Sequence, residues 1–159
     1  MSAHPILILL AAALLQPITV VAQSAVAPEM GTWKMNHSKT RMDPGPPPRE
    51  QTLIFEPFGP DGVKRTSIGV PSSGPRTETV YTAPYDGKDH PISGGAATRT
   101  VSLRRMDAYT AITVDKEHGQ VTRMQRRSVS RDGSTLTFES VGIDAQGRAF
   151  HNVTVYDKQ

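Results

Sequence analysis

Residues 99–156 decide the fold and read RTVSLRRMDAYTAITVDKEHGQVTRMQRRSVSRDGSTLTFESVGIDAQGRAFHNVTVY. Apolar and polar side chains alternate along five runs in this stretch, at 99–106, 109–117, 120–130, 134–143 and 148–156. Such alternation is typical of β-strands with one buried face. The links between the runs are short and rich in Asp and Gly, as in Arg131-Asp132-Gly133, and favour tight hairpin turns. The stretch therefore predicts five antiparallel strands joined as a meander.

The preceding part of the chain continues this pattern toward the N-terminus. It predicts strands at 31–35, 50–58, 63–70 and 77–85, and a short strand around Ile92. A long connection at 36–49 contains Asp43-Pro44-Gly45-Pro46-Pro47-Pro48, and its prolines exclude a helix interior. With 13 Gly and 13 Pro in the chain, turn signals are frequent and helix-period patterns are nearly absent. The prediction is an all-β domain of nine or ten strands in sequence order.

The two edges of such a meander determine its architecture. An open edge exposes unpaired backbone groups, and closure of the sheet into a barrel removes both edges. We therefore predict a single antiparallel up-and-down barrel of about eight to ten strands. A sandwich is the alternative, but its Greek-key crossovers need longer links than the second half of the chain offers.

The first 22 residues have the layout of a secretory leader. An apolar run at 6–15 is followed by Gln16-Pro17 and by the small and branched residues at 18–22. We place the cut after Ala22, with a second option after Ala27. The run is too short for the roughly 20 apolar residues of a membrane anchor. One feature differs from the usual leader: the first four residues contain no Lys or Arg. We expect an exported protein, periplasmic or secreted.

The expected organisation is therefore a signal peptide at 1–22, a flexible mature N-terminus at 23–30 and a barrel at 31–159. No membrane span is expected after removal of the leader. The chain has no cysteine, which excludes disulfides, thiolate chemistry and an N-terminal lipid anchor. Its net charge of +3, from 18 Lys and Arg against 15 Asp and Glu, is spread along the sequence rather than concentrated on one face. We therefore expect no nucleic-acid partner.

Gly31-Thr32-Trp33, at the head of the meander, resembles the G-x-W motif of lipocalins and the wider calycin group. The resemblance implies that Trp33 closes the base of the barrel and stacks against an arginine from a late strand. The T-D-Y signature of lipocalins is absent, and Arg148-Ala149-Phe150 does not match the R-x-Y of fatty-acid-binding proteins. Gly31 and Trp33 are thus the expected structural motif.

A closer resemblance is to small exported bacterial proteins that have a lipocalin-like domain and no settled function. It rests on four stretches: Gly31-Thr32-Trp33-Lys34, Tyr85-Asp86-Gly87-Lys88-Asp89-His90-Pro91, Ser130-Arg131-Asp132-Gly133 and Val155-Tyr156-Asp157-Lys158. The resemblance covers nearly the whole mature chain and implies the fold rather than an activity.

Three arginines are candidates for a ligand site. Alternation places Arg123 and Arg127 on one face of the run at 120–130, together with valines, and Arg105 shares a face with Val101 and Leu103. If these faces point inward, the guanidinium groups require an anion, and a carboxylate-bearing ligand would provide it. The alternative is that they are solvated, or that they pair across strands with Glu117 and Glu139.

Other motifs give no candidate chemistry. The histidines at 37, 90, 118 and 151 show no metal-ligand spacing, and Asp86 and Asp89 lack the rest of a calcium loop, so an Asx turn is favoured. We predict no catalytic, cofactor-binding or metal-binding residues, and no enzyme activity. The expected function is an exported carrier for an apolar, amphipathic or carboxylate-bearing small molecule. The alternative is an envelope scaffold that interacts with other proteins and holds no ligand.

Overall fold

The computed structural model of the protein describes residues 27–94, 96–144 and 146–159. The leader expected at 1–22 and its cut after Ala22 lie outside these residues. The segment expected at 23–30 is described from residue 27 onward, where Met30 N donates to Ala27 O at 3.0 Å and closes a turn. The described residues contain no helix that is long and apolar enough to cross a membrane.

Eleven antiparallel β-strands form one sheet in the described chain. In chain order they are β1 (Gly31–Met35), β2 (Arg41–Asp43), β3 (Glu50–Pro57), β4 (Gly62–Val70), β5 (Thr77–Pro84), β6 (His90–Ser93), β7 (Arg99–Arg105), β8 (Thr110–Glu117), β9 (Gln120–Val129), β10 (Thr135–Ile143) and β11 (Ala149–Lys158).

The sheet closes on itself. From β3 onward each strand pairs with the next in sequence, and β1 pairs with both β3 and β11. Ten strands therefore form a closed up-and-down barrel. The predicted barrel is confirmed, and the closing pairs between β1 and β11, such as Trp33 with Lys158, exclude the sandwich.

The short strand β2 was not predicted, because it lies inside the proline-rich connection. It extends the pairing along β11 beyond the end of β1, with Arg41 opposite Val153 and Asp43 opposite His151. Thr40 anchors the chain there, since Thr40 Oγ1 accepts a hydrogen bond from Val155 N at 3.1 Å. Three residues are too few to show an alternating pattern, which is why the sequence gives no signal for β2.

The inner faces of the strands pack together at one end of the barrel, which we call the base. Trp33, Leu53, Phe55, Leu103 and Leu136 are fully buried there. The other end, which we call the mouth, carries polar side chains on its inner face, among them Gln51, Arg123, Gln125, Ser140 and Asn152.

The G-x-W motif has a clear structural role at the base. Gly31 has φ +119°, and a Cβ there would lie 3.2 Å from Lys158 Cε. The absence of a side chain thus lets Lys158 cross Gly31, and its Nζ lies 5.1 Å from the centre of the Trp33 ring. The cation against the ring is therefore a lysine, not the arginine that the resemblance implied, because the register of β11 places Lys158 opposite Trp33.

Candidate functional site

Four polar side chains meet at the base, and we call them the base cluster: Glu29, Tyr85, Arg105 and Arg127. Glu29 Oε1 accepts hydrogen bonds from Tyr85 Oη at 2.8 Å and Arg127 Nη2 at 3.0 Å. Arg105 Nη1 donates to the same oxygen at 3.2 Å. Trp33 Nε1 donates to the backbone oxygen of Glu29 at 2.8 Å, so the base of the barrel fixes the turn that delivers the carboxylate.

Aromatic rings enclose the two guanidinium groups of the base cluster. Arg127 Cζ lies 5.2 Å from the centre of the Phe55 ring and 5.7 Å from that of Tyr85. Arg105 Cζ lies 3.9 Å from the Tyr85 ring centre. The Glu29 and Arg127 side chains are 1% and 4% exposed, so this charge pair is almost wholly removed from water.

The surroundings fix the protonation states of the base cluster. Burial raises the pKa of Glu29, but the charge of Arg127 and the hydrogen bonds to the carboxylate outweigh burial and leave the pKa below its ordinary value. Burial lowers the pKa of Arg127, yet Tyr85 and Glu29 more than compensate, and the pKa is raised. Burial and the charge of Glu29 raise the pKa of Tyr85 to about 12, against the opposing effect of the Arg127 charge. At neutral pH the cluster is a carboxylate, two guanidinium groups and a neutral phenol.

A second group of polar side chains lines a cavity of about 250 Å³ in the mouth, which we call the mouth cavity. Strands β3, β4, β9, β10 and β11 contribute most of its walls, and the proline-rich connection contributes the rest. The lining residues are Met42, Pro48, Gln51, Arg65, Arg123, Gln125, Phe138, Ser140, Phe150, Asn152, Thr154 and Tyr156.

Arg65 occupies a special position in the mouth cavity. Its guanidinium lies 5.7 Å from the ring centre of Tyr81 and 5.5 Å from that of Phe138. Arg65 Nη2 donates to Ser67 Oγ at 2.9 Å, and its buried Nε has no hydrogen-bond partner among the described residues. No carboxylate of the described chain forms an ion pair with it. The Arg65 guanidinium is therefore a positive charge that packs near two aromatic rings, and its Nε–H group is a donor without a partner among the described residues.

Arg123 is a guanidinium of a different kind in the same cavity. Its Nε donates to Asp115 Oδ2 at 2.7 Å, and its Nη2 contacts the same oxygen. Asp115 is buried. A small extension of about 20 Å³ adjoins both Arg65 and Arg123 and is also lined by Arg99. Arg123 is thus neutralised within the protein, whereas Arg65 is not.

The three arginines predicted to bind a ligand all lie on the inner face, but at two different places. Arg105 and Arg127 meet in the base cluster, where Glu29 provides their anion. Arg123 lies apart from them in the mouth cavity. The alternative pairing with Glu139 belongs instead to Arg126 on the outer face, at 3.4 Å. The ligand-binding role of the three arginines stays a prediction.

Two important residues were missed by the sequence analysis. Arg65 lies two positions after the buried Val63 on β4, so extension of the alternation rule to that strand would have placed it inside. Glu29 lies before the first strand, where no periodic pattern exists to indicate its direction. Among the histidines, His90 pairs with Asp86 at 3.1 Å, and the described residues contain no cluster of three or more His, Asp or Glu that could hold a metal.

Comparisons with known proteins agree with the architecture. No protein-family model matches the sequence, and no curated protein matches it. The fold is similar to that of a mutant of the fluorescent protein UnaG, with a TM-score of 0.57 and 14% identity over 83% of this chain and 96% of the other. At this identity the similarity concerns the fold alone, and it supports the predicted lipocalin- or calycin-type barrel.

Proposed function

We propose that this protein is an exported small-molecule-binding barrel and that its mouth cavity binds a compact anion, without catalysis. The observation that carries the proposal is Arg65, a half-buried guanidinium at the wall of a 250 Å³ cavity. A guanidinium that packs near two aromatic rings and has no carboxylate partner can still bind an anion through the N–H groups in its plane.

The charge balance of the inner mouth supports an anionic ligand. Three guanidinium groups, Arg65, Arg99 and Arg123, line the cavity and its extension, and Asp115 is the carboxylate among the described lining residues. In a partly enclosed space this positive excess attracts anions more strongly than it would in bulk water.

The size and polarity of the cavity favour a compact ligand over a long acyl chain. Gln51, Gln125, Ser140, Asn152 and Thr154 all present polar groups to it. The base is filled by Trp33 and its neighbours, so it adds no apolar depth. Of the ligand types expected from the sequence, a carboxylate-bearing molecule therefore fits better than a purely apolar one.

The variant Arg65→Met tests the proposal. Acetate, benzoate and inorganic phosphate serve as probes in isothermal titration calorimetry at low salt. We expect saturable binding of at least one probe and a loss of affinity of about tenfold or more in Arg65→Met, since a hydrogen bond to a charged group contributes about 1.5–3 kcal/mol. Arg76→Met is the matched control, because Arg76 is exposed and pairs weakly with Glu78; it should bind as the wild type does.

Two results would contradict the proposed site. One is that none of the three probes shows saturable binding to the wild type. The other is that Arg65→Met and Arg76→Met bind the probe equally well, which would move any binding away from the mouth cavity.

The scaffold alternative has one observation in its favour. Met124, Val141 and Ile143 are each about half exposed on β9 and β10. Met124, Val141 and Ile112 contribute apolar surface to an outer groove whose other lining residues are Gln125, Arg126, Glu139 and His151. A scaffold that used these arginines to bind a partner would need them on the outer face, however, and Arg105, Arg123 and Arg127 lie on the inner face. We therefore rank the binding role first.

Export is supported by the sequence of the leader. The apolar run at 6–15, the break at Gln16-Pro17 and the small residues before position 23 favour recognition and cleavage by a signal peptidase. A cysteine-free barrel suits this route, since it folds outside the cytoplasm without the need to form disulfides.

A further inference from the structure

Gln125 is a second buried group at the wall of the mouth cavity that lacks part of its hydrogen bonding. The side chain lies on the inner face of β9 and is 6% exposed. Its Nε2 donates to Ser140 Oγ at 3.0 Å. Its Oε1 has no hydrogen-bond partner among the described residues, which is unfavourable for a buried carbonyl oxygen.

The neighbouring glutamine in the same cavity shows the contrast. Gln51 Oε1 accepts a hydrogen bond from Tyr156 Oη at 2.8 Å, so this amide oxygen is used within the protein. Gln125 lines both the mouth cavity and an outer groove beside Val141. Its amide is bonded to Ser140, which lines the mouth cavity, so we infer that a partner for Oε1 comes from that cavity, as water or as a donor group of the ligand.

The cavity therefore offers complementary unpaired atoms. The Nε of Arg65 is a buried donor without a protein partner, and Gln125 Oε1 is a buried acceptor without one. The ring centres of Tyr81 and Phe138 lie 5.7 Å and 5.5 Å from the guanidinium, and Ser140 accepts a hydrogen bond from the Gln125 amide. A ligand that forms hydrogen bonds with both atoms must carry an acceptor group for Arg65 and a donor group for Gln125 in one small molecule.

We propose that the ligand of the mouth cavity is a compact carboxylate that also carries a hydroxyl or amino group. The carboxylate binds Arg65, and the hydroxyl or amino group donates to Gln125 Oε1. This inference rests on the proposed anion-binding function and adds the second recognition group. A cavity of about 150 Å³ is enough to hold benzene, so the 250 Å³ available here fits a single substituted ring or a short branched chain.

The experiment uses matched aromatic acids on the mature chain. Benzoate is compared by calorimetry with the ortho, meta and para isomers of hydroxybenzoate and of methoxybenzoate. A hydroxyl donates a hydrogen bond, whereas a methoxy group at the same position only accepts. We expect one hydroxybenzoate to bind about tenfold more tightly than benzoate and than its methoxy counterpart.

Two variants locate the preference. In Gln125→Met the hydroxyl preference should fall to within about twofold, while benzoate still binds, because Arg65 is unchanged. Gln120→Met is the control, since Gln120 is exposed at the start of the same strand and does not line the cavity, and the preference should persist. The comparison of hydroxyl with methoxy in the wild type remains a test even if a variant does not fold.

The outcomes separate this inference from the proposed function. If benzoate binds through Arg65 but no hydroxyl isomer is preferred, or a methoxy isomer is, the donor requirement is wrong and water satisfies Gln125. If the preference survives in Gln125→Met, the assignment to this residue is wrong. If no anion in the series binds the wild type and Arg65→Met changes nothing, the proposed function itself fails.

Discussion

Glu29 supplies the negative charge around which the base of the barrel is built. One of its oxygens accepts three hydrogen bonds, from Tyr85, Arg105 and Arg127. Removal of water from a charged pair is costly, and the pair is tolerated because the opposite charges contact each other directly and hydrogen bonds replace part of the lost hydration. Arg127 Nη2 provides this contact, whereas the buried Arg127 Nε has no hydrogen-bond partner among the described residues. The loss of either charge would therefore leave the other buried and uncompensated.

The variant Glu29→Gln should lower the free energy of unfolding by about 3 kcal/mol at neutral pH, because Arg127 loses its buried counter-charge. The pKa of Glu29 in the folded protein lies below the ordinary value of about 4.5 for a glutamate, so the ionised carboxylate stabilises the fold above that ordinary value. The contribution is lost as the pH falls through the folded pKa. The difference between wild type and variant, measured by urea unfolding, should thus shrink toward strongly acidic pH.

The control for this experiment is Glu56→Gln. Glu56 pairs with Lys64 at 2.8 Å, but both side chains are well exposed, and such a pair contributes about 0–1 kcal/mol. An effect of Glu29→Gln as small as that of Glu56→Gln, or one that does not vary with pH, would show that the base cluster does not act as a buried charge pair.

Single residues differ in how far the sequence reveals their position. Alternation along β9 indicates that Arg123 and Arg127 share a face, but it leaves open whether that face points inward. The structure places both inside with Val129, whereas Val121, beyond a register shift, is half exposed. The partner of Arg127 does not follow, because Glu29 is remote in sequence and reaches it only when the barrel closes. The alternation rule could have predicted that the Arg65 side chain points into the barrel. It could not have predicted that Tyr81 and Phe138 contact it, since these rings come from other strands.

Strands β9, β10 and β11 pack closely around Gly142. A Cβ at this position would overlap the backbone oxygen of Thr122 and would lie 2.7 Å from Phe150 Cζ. Phe150 lies directly opposite Gly142 across the β10–β11 pair. The glycine is therefore needed for close approach of neighbouring strands.

The variant Gly142→Ala should destabilise the protein by about 2 kcal/mol, since overpacking of a fixed backbone costs about 1–3 kcal/mol. Gly69→Ala is a matched control on another strand. There a Cβ would meet only the Thr77 hydroxyl at 3.3 Å, and we expect a change within about 0.5 kcal/mol. Thermal unfolding of both variants measures the difference; equal midpoints would contradict the proposed crowding at Gly142.

The strands differ in predictability for reasons of length and pairing. Strands β7 to β11 each have seven or more residues and are joined by short links, so alternation and turn residues locate them. The four-residue β6 was predicted only as a short strand around Ile92, and it has just two paired positions with β5 and two with β7. The three-residue β2 exists because β11 continues past β1, which is a property of the closed barrel and not of the local sequence.

The whole barrel divides its interior between stability and binding. At the base Glu29 supplies the counter-charge of the buried Arg127 and also contacts the more exposed Arg105, and aromatic and aliphatic side chains fill the space. At the mouth the walls combine polar groups with the side chains of Met42, Phe138 and Phe150, and Arg65 has no carboxylate partner among the described residues. The sequence could indicate a closed barrel with inward arginines, but not that the chain itself supplies the anion for one pair and leaves another guanidinium to a ligand.

The role of Glu29 at the base also limits where the proposed leader can be cleaved. Glu29 must remain in the mature chain, held by the turn in which Met30 N donates to Ala27 O. A cut after Ala22 preserves this turn. The alternative cut after Ala27 would remove the carbonyl group that closes this turn. It would also make Pro28 the charged N-terminus, directly before Glu29, whose carboxylate contacts Arg127 and Arg105.

We therefore predict that the exported protein begins at Gln23, which intact-mass spectrometry of a periplasmic extract measures directly. A recombinant chain that begins at Pro28 should unfold at a lower temperature than one that begins at Gln23, because Glu29 is then less firmly held against Arg127. If Glu29→Gln is introduced into both chains, the difference between them should largely disappear, since the turn then has no carboxylate to position. A mature mass that corresponds to Pro28, or equal unfolding temperatures of the two unsubstituted chains, would contradict the link between the cut and the base cluster.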